Sequence, residues 1–400
     1  MNDRALQLSE RITLIKPSPT LAVSARAEEL KSTGVDILNL SVGEPDFDTP
    51  DHIREAAIKA LNEGHTRYTA VDGIRPLKQA IAEKFARDNQ LNYTLNQILV
   101  SCGAKHSIFN AFTAILNPGD EVIIPAPYWV SYPDIVKMTG GIPVIVQSDF
   151  ANAFKLTPEN LKSAMTEKTR AFVINSPSNP SGMAYSLDEL KKLAEVLIEY
   201  PDVLIVTDDI YEHSLWRHLP FANILNACPE LYERCIVVNG VSKTYAMTGF
   251  RIGYAAGNAK IIAAMKKVQS QSTSNPTSIS QYAALAALTG DQACVKTMTQ
   301  AFKERHDFIY AALKDFPGFE CLPSDGTFYS FPSIQKILSK TGLQDDIQFS
   351  EYLLNEARVA VIPGSAFGME GYIRISYAAP FETLTQAVER IRTALQKLFT

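Results

Sequence analysis

The sequence predicts an α/β protein: a large domain with a mostly parallel sheet covered by helices, followed by a smaller α+β domain. Three observations predict it. Apolar runs of strand length recur at 98–101, 121–124, 142–146, 171–175, 203–207 and 236–239, and helical stretches at 106–116, 132–139 and 187–199 separate most of them. These runs are nearly continuous rather than alternating, as strands buried on both faces require. The 400 residues also exceed the size at which one core stops growing, and after Ser280 the texture changes to long helical patterns.

Taken in order, the segment 12–20 carries Pro17 and Pro19 and reads as an extended arm. A helix over 24–31, rich in Ala, Glu and Leu, stops near Gly34, and 37–40 follows as a short strand. The polar turn Gly43-Glu44-Pro45-Asp46-Phe47 leads to a helix from Thr49-Pro50-Asp51 to about Gly64, with Pro50 near the first helical position. Another helix covers 77–85, and the strand and helix alternation begins there. Beyond it lie an alanine-rich helix at 280–288, a long helix over 292–313, and strands at 326–331, 359–364 and 372–377. The expected division is an arm and part of the small domain over 1–48, a large domain over 49–300 and a small domain over 301–400, with the arm packing on the C-terminal unit. No repeat of fixed period or low-complexity tract is visible.

Composition narrows the function classes. Apolar residues make up 46% and charged residues 20%, as in ordinary soluble globular proteins. The formal charge of −5 is mild and spread along the chain, so neither nucleic acid nor an acidic membrane gains support as a partner. Five cysteines without a C-x-x-C pair read as reduced, buried thiols rather than a disulfide framework or a metal site. With no apolar leader and no stretch of transmembrane length, the expected location is the cytoplasm.

In an open parallel sheet, ligands bind outside the carboxyl ends of the strands, so what each strand delivers there is informative. After 98–101 come Gly103-Ala104-Lys105 and a helix start whose N–H groups can hold an anion. After 121–124 comes Trp129, placed to stack on a planar ring or to serve as core. After 171–175 the proline-rich turn 176–182 presents Asn179. After 203–207 come Asp208, Asp209 and Tyr211; two carboxylates behind an apolar strand are costly to bury unless one meets a cation, and a pyridinium is such a cation. After 236–239 comes Lys243, read either as a solvated loop lysine or as a carbonyl-capturing amine activated by burial and nearby cations. Ser242 and Arg251 beside it suit a phosphate, and Gly249 and Gly253 let backbone approach a bound group. An amine, a carboxylate, an aromatic plate, an asparagine and a phosphate cradle are the parts of a pyridoxal phosphate site.

With these residues the chain resembles the fold-type I pyridoxal-phosphate aminotransferases of the aspartate aminotransferase family, close to the bacterial Ib subgroup. The resemblance runs from I-K-P-S-P-T and S-V-G-E-P-D-F through Y-W-V-S-Y-P, N-S-P-S-N-P-S-G, D-D-I-Y and S-K-T-Y-A-M-T-G-F-R-I-G-Y to Y-I-R-I-S-Y-A. It implies that Lys243 holds the pyridoxal 5'-phosphate aldehyde and moves the substrate proton. By the D-x-x-Y spacing, it makes Asp208 rather than Asp209 the pyridinium partner. Tyr211 and Asn179 would then contact the ring oxygen, and Trp129 would cover the ring. Gly103, Ala104, Ser242 and Arg251 would hold the phosphate, with Tyr68 contributed by a neighbouring subunit of a homodimer. Gly43 and Arg374 match positions that receive the α-carboxylate of amino-acid and 2-oxo-acid substrates. Ser181 stands where Thr is frequent, a swap that keeps the hydroxyl.

For the substrate, Lys105 matches the position that meets a distal carboxylate, and Lys16 one linked in some members to amination of prephenate. The expected reaction is L-aspartate with 2-oxoglutarate, with prephenate as a further acceptor. Alternatives are aromatic or alanine transamination, or another pyridoxal reaction such as a β-lyase. A cofactor-retaining sensor fused to a DNA-binding unit is disfavoured, since only about forty residues precede the front turn. A scaffold would not need the full set of site residues.

Overall fold

A computed structural model describes residues 8–15, 17, 19–216 and 220–400. Its twelve strands are β1 (Leu38–Asn39), β2 (Ile98–Ser101), β3 (Glu121–Ala126), β4 (Ile142–Gln147), β5 (Thr169–Asn175), β6 (Leu204–Asp208), β7 (Cys235–Gly240), β8 (Gly253–Ala256), β9 (Tyr329–Ser330), β10 (Val359–Ala360), β11 (Ile362–Pro363) and β12 (Ile373–Ser376). Seven of them form the main sheet in the order β2-β8-β7-β6-β5-β3-β4. From β7 to β4 every pairing is parallel, and β8 lies antiparallel to both β7 and β2.

The strand periodicity explains the continuous apolar runs. In β7, Val237 enters one buried cluster while Ile236 and Val238 enter another; in β5, Phe172 and Ile174 divide from Ala171 and Val173 in the same way. Each face therefore needs its own apolar residue, and each fully buried Val or Ile contributes about 1.5–3 kcal/mol. Only at the edge does this relax. Ile142, which opens β4, is 47% exposed.

Helices close the crossovers with signals visible in the chain. The helix Leu187–Ile198 starts from a reciprocal capping box in which Ser186 accepts from the Glu189 N–H and Glu189 accepts from the Ser186 N–H. The helix Ala104–Ile115 starts directly after Gly103, whose φ of 88° suits glycine.

The smaller unit holds the antiparallel sheet β11-β12-β9, while β1 pairs in parallel with β10 through Leu38 and Val359. Its apolar cluster joins Leu38 and Leu40 to Phe302, Ile309, Ile373 and Leu395, so both ends of the chain share one core. The helix Ala293–Asp315 passes from one cluster to the other: Val295 belongs to the large-domain core, and Met298 onward to the second.

Several expectations need correction. The arm is not extended throughout 12–20, because Glu10–Thr13 is a helical turn and the next helix, Pro19–Ser32, already begins at its proline. Proline is tolerated there, since the first helical N–H has no partner to lose. The predicted 326–331 strand shrinks to Tyr329–Ser330, and 359–364 is two short strands. Strand β8 and the helix Ala259–Ser272 were not expected. Of the five free cysteines only Cys235 is buried, the other four being half-buried. Among the described residues no helix is long and apolar enough to cross a membrane.

Candidate active site

A cavity of about 570 Å³ opens at the carboxyl ends of the parallel strands, and the front turn and β12 of the smaller unit complete its wall. Strand β7 carries the chain to Lys243, which is half-buried in the cavity wall with Nζ donating to the Gly43 carbonyl at 2.5 Å. Burial lowers its pKa to about 8; Glu44 opposes the fall and Arg374 and Arg251 add to it. The amine is thus near the point at which it has a free lone pair at neutral pH.

Strand β6 ends in two carboxylates with different surroundings. Asp208 lines the cavity, and its donors are the Tyr132 hydroxyl at 2.7 Å and the Ile210 N–H at 3.3 Å. Both are neutral, and burial raises the carboxyl to about 6 against the Tyr132 hydrogen bond. Asp209 accepts from Thr207 Oγ1 and Asn223 Nδ2, each at 2.6 Å, away from the cavity, and burial raises it to about 7. Tyr211 lines the cavity, whereas Glu212 joins a buried cluster with Lys84, Asn89 and Asn239.

The anion cradle is built by close backbone contact. Gly103 has a positive φ, and a Cβ there would strike the Arg251 guanidinium; a Cβ on Gly253 would strike the Ala104 N–H. These glycines let the helix start, Ser242 and Arg251 converge on one wall. Arg251 itself has φ 56°, and Nη1 donates to the Thr248 carbonyl at 3.0 Å. A Cβ on Gly249 would meet open space.

On the opposite wall Arg374 is 2% exposed. Its Nη1 donates to Asn179 Oδ1 at 3.0 Å and its Nη2 to the Ser41 carbonyl at 2.6 Å, while Nε is buried without a partner among the described residues. Asn179 is in turn held by its own N–H on Asn175 Oδ1 at 3.0 Å, and Asn175 Nδ2 reaches the Asp208 carbonyl at 2.7 Å. With its oxygen engaged by Arg374, Asn179 has its amide N–H groups left as donors. Lys105 stands with Nζ 5.0 Å from the Trp129 ring centroid, and both line the cavity; burial, then Arg251, lowers the Lys105 pKa. Tyr68 is not among the lining residues and is 91% exposed. Lys16 lies outside the described residues, although Thr20 and Ser24, just beyond it, line the cavity.

Sequence reasoning passed over four residues that matter to this geometry: Ser41, Tyr132, Asn175 and Tyr329. Three act on a side chain far away in the chain, so no local pattern marks them. Asn175 is different; as the last residue of an apolar strand it was visible as a polar terminus.

The family model described as aminotransferase class I and II matches residues 35–391. The chain is 54% identical over 396 residues to an aspartate/prephenate aminotransferase of Nitrosomonas europaea, covering 98% of this chain and 100% of the relative. It is 48% identical to an aspartate aminotransferase of Bacillus subtilis, covering 98% and 100%. Among solved structures, the aspartate aminotransferase from Rhizobium meliloti superposes with a TM-score of 0.95 at 47% identity over 98% of this chain and 100% of that one. The aspartate aminotransferase from Thermus thermophilus with maleate gives 0.92 at 42% identity, over 97% and 100%. With the family model spanning most of its length and relatives this close, the chain belongs to the class I and II aminotransferases.

Proposed function

We propose that this protein uses pyridoxal 5'-phosphate to transfer the amino group of L-aspartate to 2-oxoglutarate, giving oxaloacetate and L-glutamate, and that it works as a homodimer. The observation that carries this reading is one cavity lined by a half-buried amine with a pKa near 8, a buried carboxylate with only neutral donors, and the anion cradle of Ala104, Ser242 and Arg251. That donor set fits the cofactor: a carboxylate for its pyridine nitrogen, an amine for its aldehyde, and N–H groups with a guanidinium for its phosphate. When bound, the cofactor supplies an aldehyde that accepts the amino group and a protonated ring that draws off the electrons released at the α-carbon.

This chain's residues do the rest. Lys243 would hold the aldehyde carbon and, once displaced from it by the substrate amino group, its free amine would carry the proton between the substrate α-carbon and that carbon. Asp208 keeps the ring nitrogen protonated, because a charged partner repays the desolvation that now raises its pKa. Tyr211 and Asn179 donate to the ring oxygen, and Trp129 covers one face. Gly103, Ala104, Ser242 and Arg251 hold the phosphate. Gly43 and Arg374 receive the α-carboxylate, for which the unpartnered Arg374 Nε is a ready donor.

Support for the homodimer comes from Tyr68. Its segment is pinned by Gln281 Nε2 on Thr69 Oγ1 at 3.0 Å and by Ser278 Oγ on the His65 carbonyl at 2.6 Å, yet its ring projects into solvent. Tyr68 of the partner subunit would then complete each phosphate site. Lys105 reads the distal carboxylate of aspartate. Amination of prephenate, which also bears two carboxylates, is a second reading supported by the name of the Nitrosomonas relative, with Lys16 as the added cation. The test is spectroscopic: aspartate shifts the visible band of the loaded protein and 2-oxoglutarate restores it, with glutamate appearing in equal amount. No such exchange with aspartate, or exchange only with alanine or phenylalanine, overturns the assignment.

A further inference from the structure

Tyr329 on β9 enters the cavity from the smaller unit and touches two site residues at once. It is fully buried, and its hydroxyl lies 3.1 Å from that of Tyr211. The Arg374 guanidinium carbon sits 4.4 Å from the centroid of its ring. Strand register explains the second contact: Tyr329 pairs with Ser376, so Arg374, two residues along β12, is its diagonal neighbour on the same face. The first contact needs room. A Cβ on Gly43 would stand 3.2 Å from the Tyr329 hydroxyl.

The placement is stiff. Ser324 Oγ donates to the Tyr329 carbonyl at 2.8 Å, and the Tyr329 N–H donates to Thr327 Oγ1 at 3.3 Å. Phe328 beside it packs edge-on against the Tyr211 ring at 5.7 Å. A phenylalanine ring would suffice to cover Arg374, so the hydroxyl asks for its own explanation; among the described residues its hydrogen-bond partner is Tyr211. Burial raises the pKa of both phenols, so each carries one proton to give. Once Tyr211 donates into the cavity, Tyr329 must be the donor between the two.

We propose that Tyr329 is a two-ended positioning residue: its hydroxyl donates to Tyr211 and its ring holds Arg374, so one small-domain side chain sets both the phenol facing the cofactor and the cation facing the substrate carboxylate. The proposal rests on the reading of the site given above. A Tyr211 supported from behind donates more firmly to the oxygen it faces, which favours the form of the cofactor that has lost its titrating proton.

The two ends separate by substitution. Tyr329→Phe keeps the ring and loses the hydroxyl. In the cofactor-loaded protein it raises the pH midpoint of the visible band by about half a unit, while succinate, an unreactive dicarboxylate, binds as before. Tyr329→Leu, or Tyr329→Met should the first not fold, shows the same shift and also weakens succinate about tenfold. In a Tyr211→Phe background Tyr329→Phe adds no further shift, because the hydroxyl acts through Tyr211. Additive shifts, an unmoved midpoint in Tyr329→Phe, or equal succinate affinity in all folded variants each overturn the proposal. A wild-type protein that forms no visible band when loaded overturns the reading of the site and the hydroxyl's part with it, and succinate binding to the cofactor-free protein then judges the ring's part alone.

Discussion

On one side of the turn after β6 stand Asp208 and Tyr211, lining the cavity; on the other stand Asp209 and Glu212, enclosed by Thr207, Asn223, Lys84, Asn89 and Asn239. The front buries one acid and the back two, and they are satisfied differently. For Glu212, burial pushes the carboxyl up, but the Lys84 ammonium, helped by His213 and Asn89, outweighs it and holds the group below the usual carboxylate range. Asp208 has two neutral donors and is raised to about 6. The back of the turn is complete within the chain, and the front is complete only with a ligand cation. Asp209 too has only neutral side-chain donors and is raised to about 7, so what distinguishes Asp208 is that it lines the cavity, where a ligand cation can reach it.

That contrast predicts that front-face variants lose function and keep the fold, while back-face variants do the reverse. The largest effect belongs to Lys243→Ala, which should cut transamination by about 10⁴-fold or more with the melting temperature held, since nucleophile and proton carrier vanish together. The same amine sets a pH dependence. Because only the neutral form attacks, loading of cofactor into the empty protein should accelerate as pH rises through about 8, measured by stopped-flow absorbance.

Asp208→Asn should cost about 10²- to 10³-fold in kcat, since a neutral amide no longer keeps a ring nitrogen protonated, whereas Asp209→Asn should cost under about tenfold. Equal losses would erase the distinction between the two sides. Stability sharpens it. Asp209 has a folded pKa of about 7, above its ordinary 3.8, so the neutral acid's contribution is full below about pH 4 and is lost as pH rises through 7. Thermal melts of the cofactor-free Asp209→Asn protein should therefore lose less stability between pH 5 and pH 8 than the wild type.

Lys84→Met tests the back directly. Leaving Glu212 buried without its cation should cost about 3 kcal/mol in denaturant unfolding while the loaded protein that remains folded keeps its KM. Arg374→Lys, at the front, retains charge but not the planar fork and should lower kcat/KM by about tenfold to a hundredfold without loss of stability. The smallest effect is the most selective. Lys105→Ala should reduce kcat/KM for aspartate by about tenfold and spare alanine and phenylalanine, and parallel kinetics with an equal loss on all three would show that Lys105 does not read the side chain.

Much of this was legible in the chain because the signals are local. A strand buried on both faces must be apolar at every position, so β5, β6 and β7 stand out, and whatever follows them falls at the ligand-binding edge. Lys243, Asn179 and the pair Asp208 and Asp209 were reached that way, while the choice of Asp208 within the pair came from the family resemblance. Strand β8 was missed because Gly253-Tyr254-Ala255-Ala256 offers small residues where a strand signal needs branched ones; small residues are what fits between β2 and β7, with Gly253 against the Ala104 backbone.

Tertiary structure alone decided how the site residues are held. Tyr132 meets Asp208 across 76 positions, Tyr329 meets Tyr211 across 118, and Arg374 meets Asn179 across 195. Period and strand ends specify which residues reach the edge of a sheet, since each depends on neighbours a few residues away. Which hydroxyl supports which acid, and which ring covers which cation, depends on how sheet, front turn and smaller unit close on one another, and that closure is set by the shared cores into which Leu38, Leu40 and Ile373 are drawn.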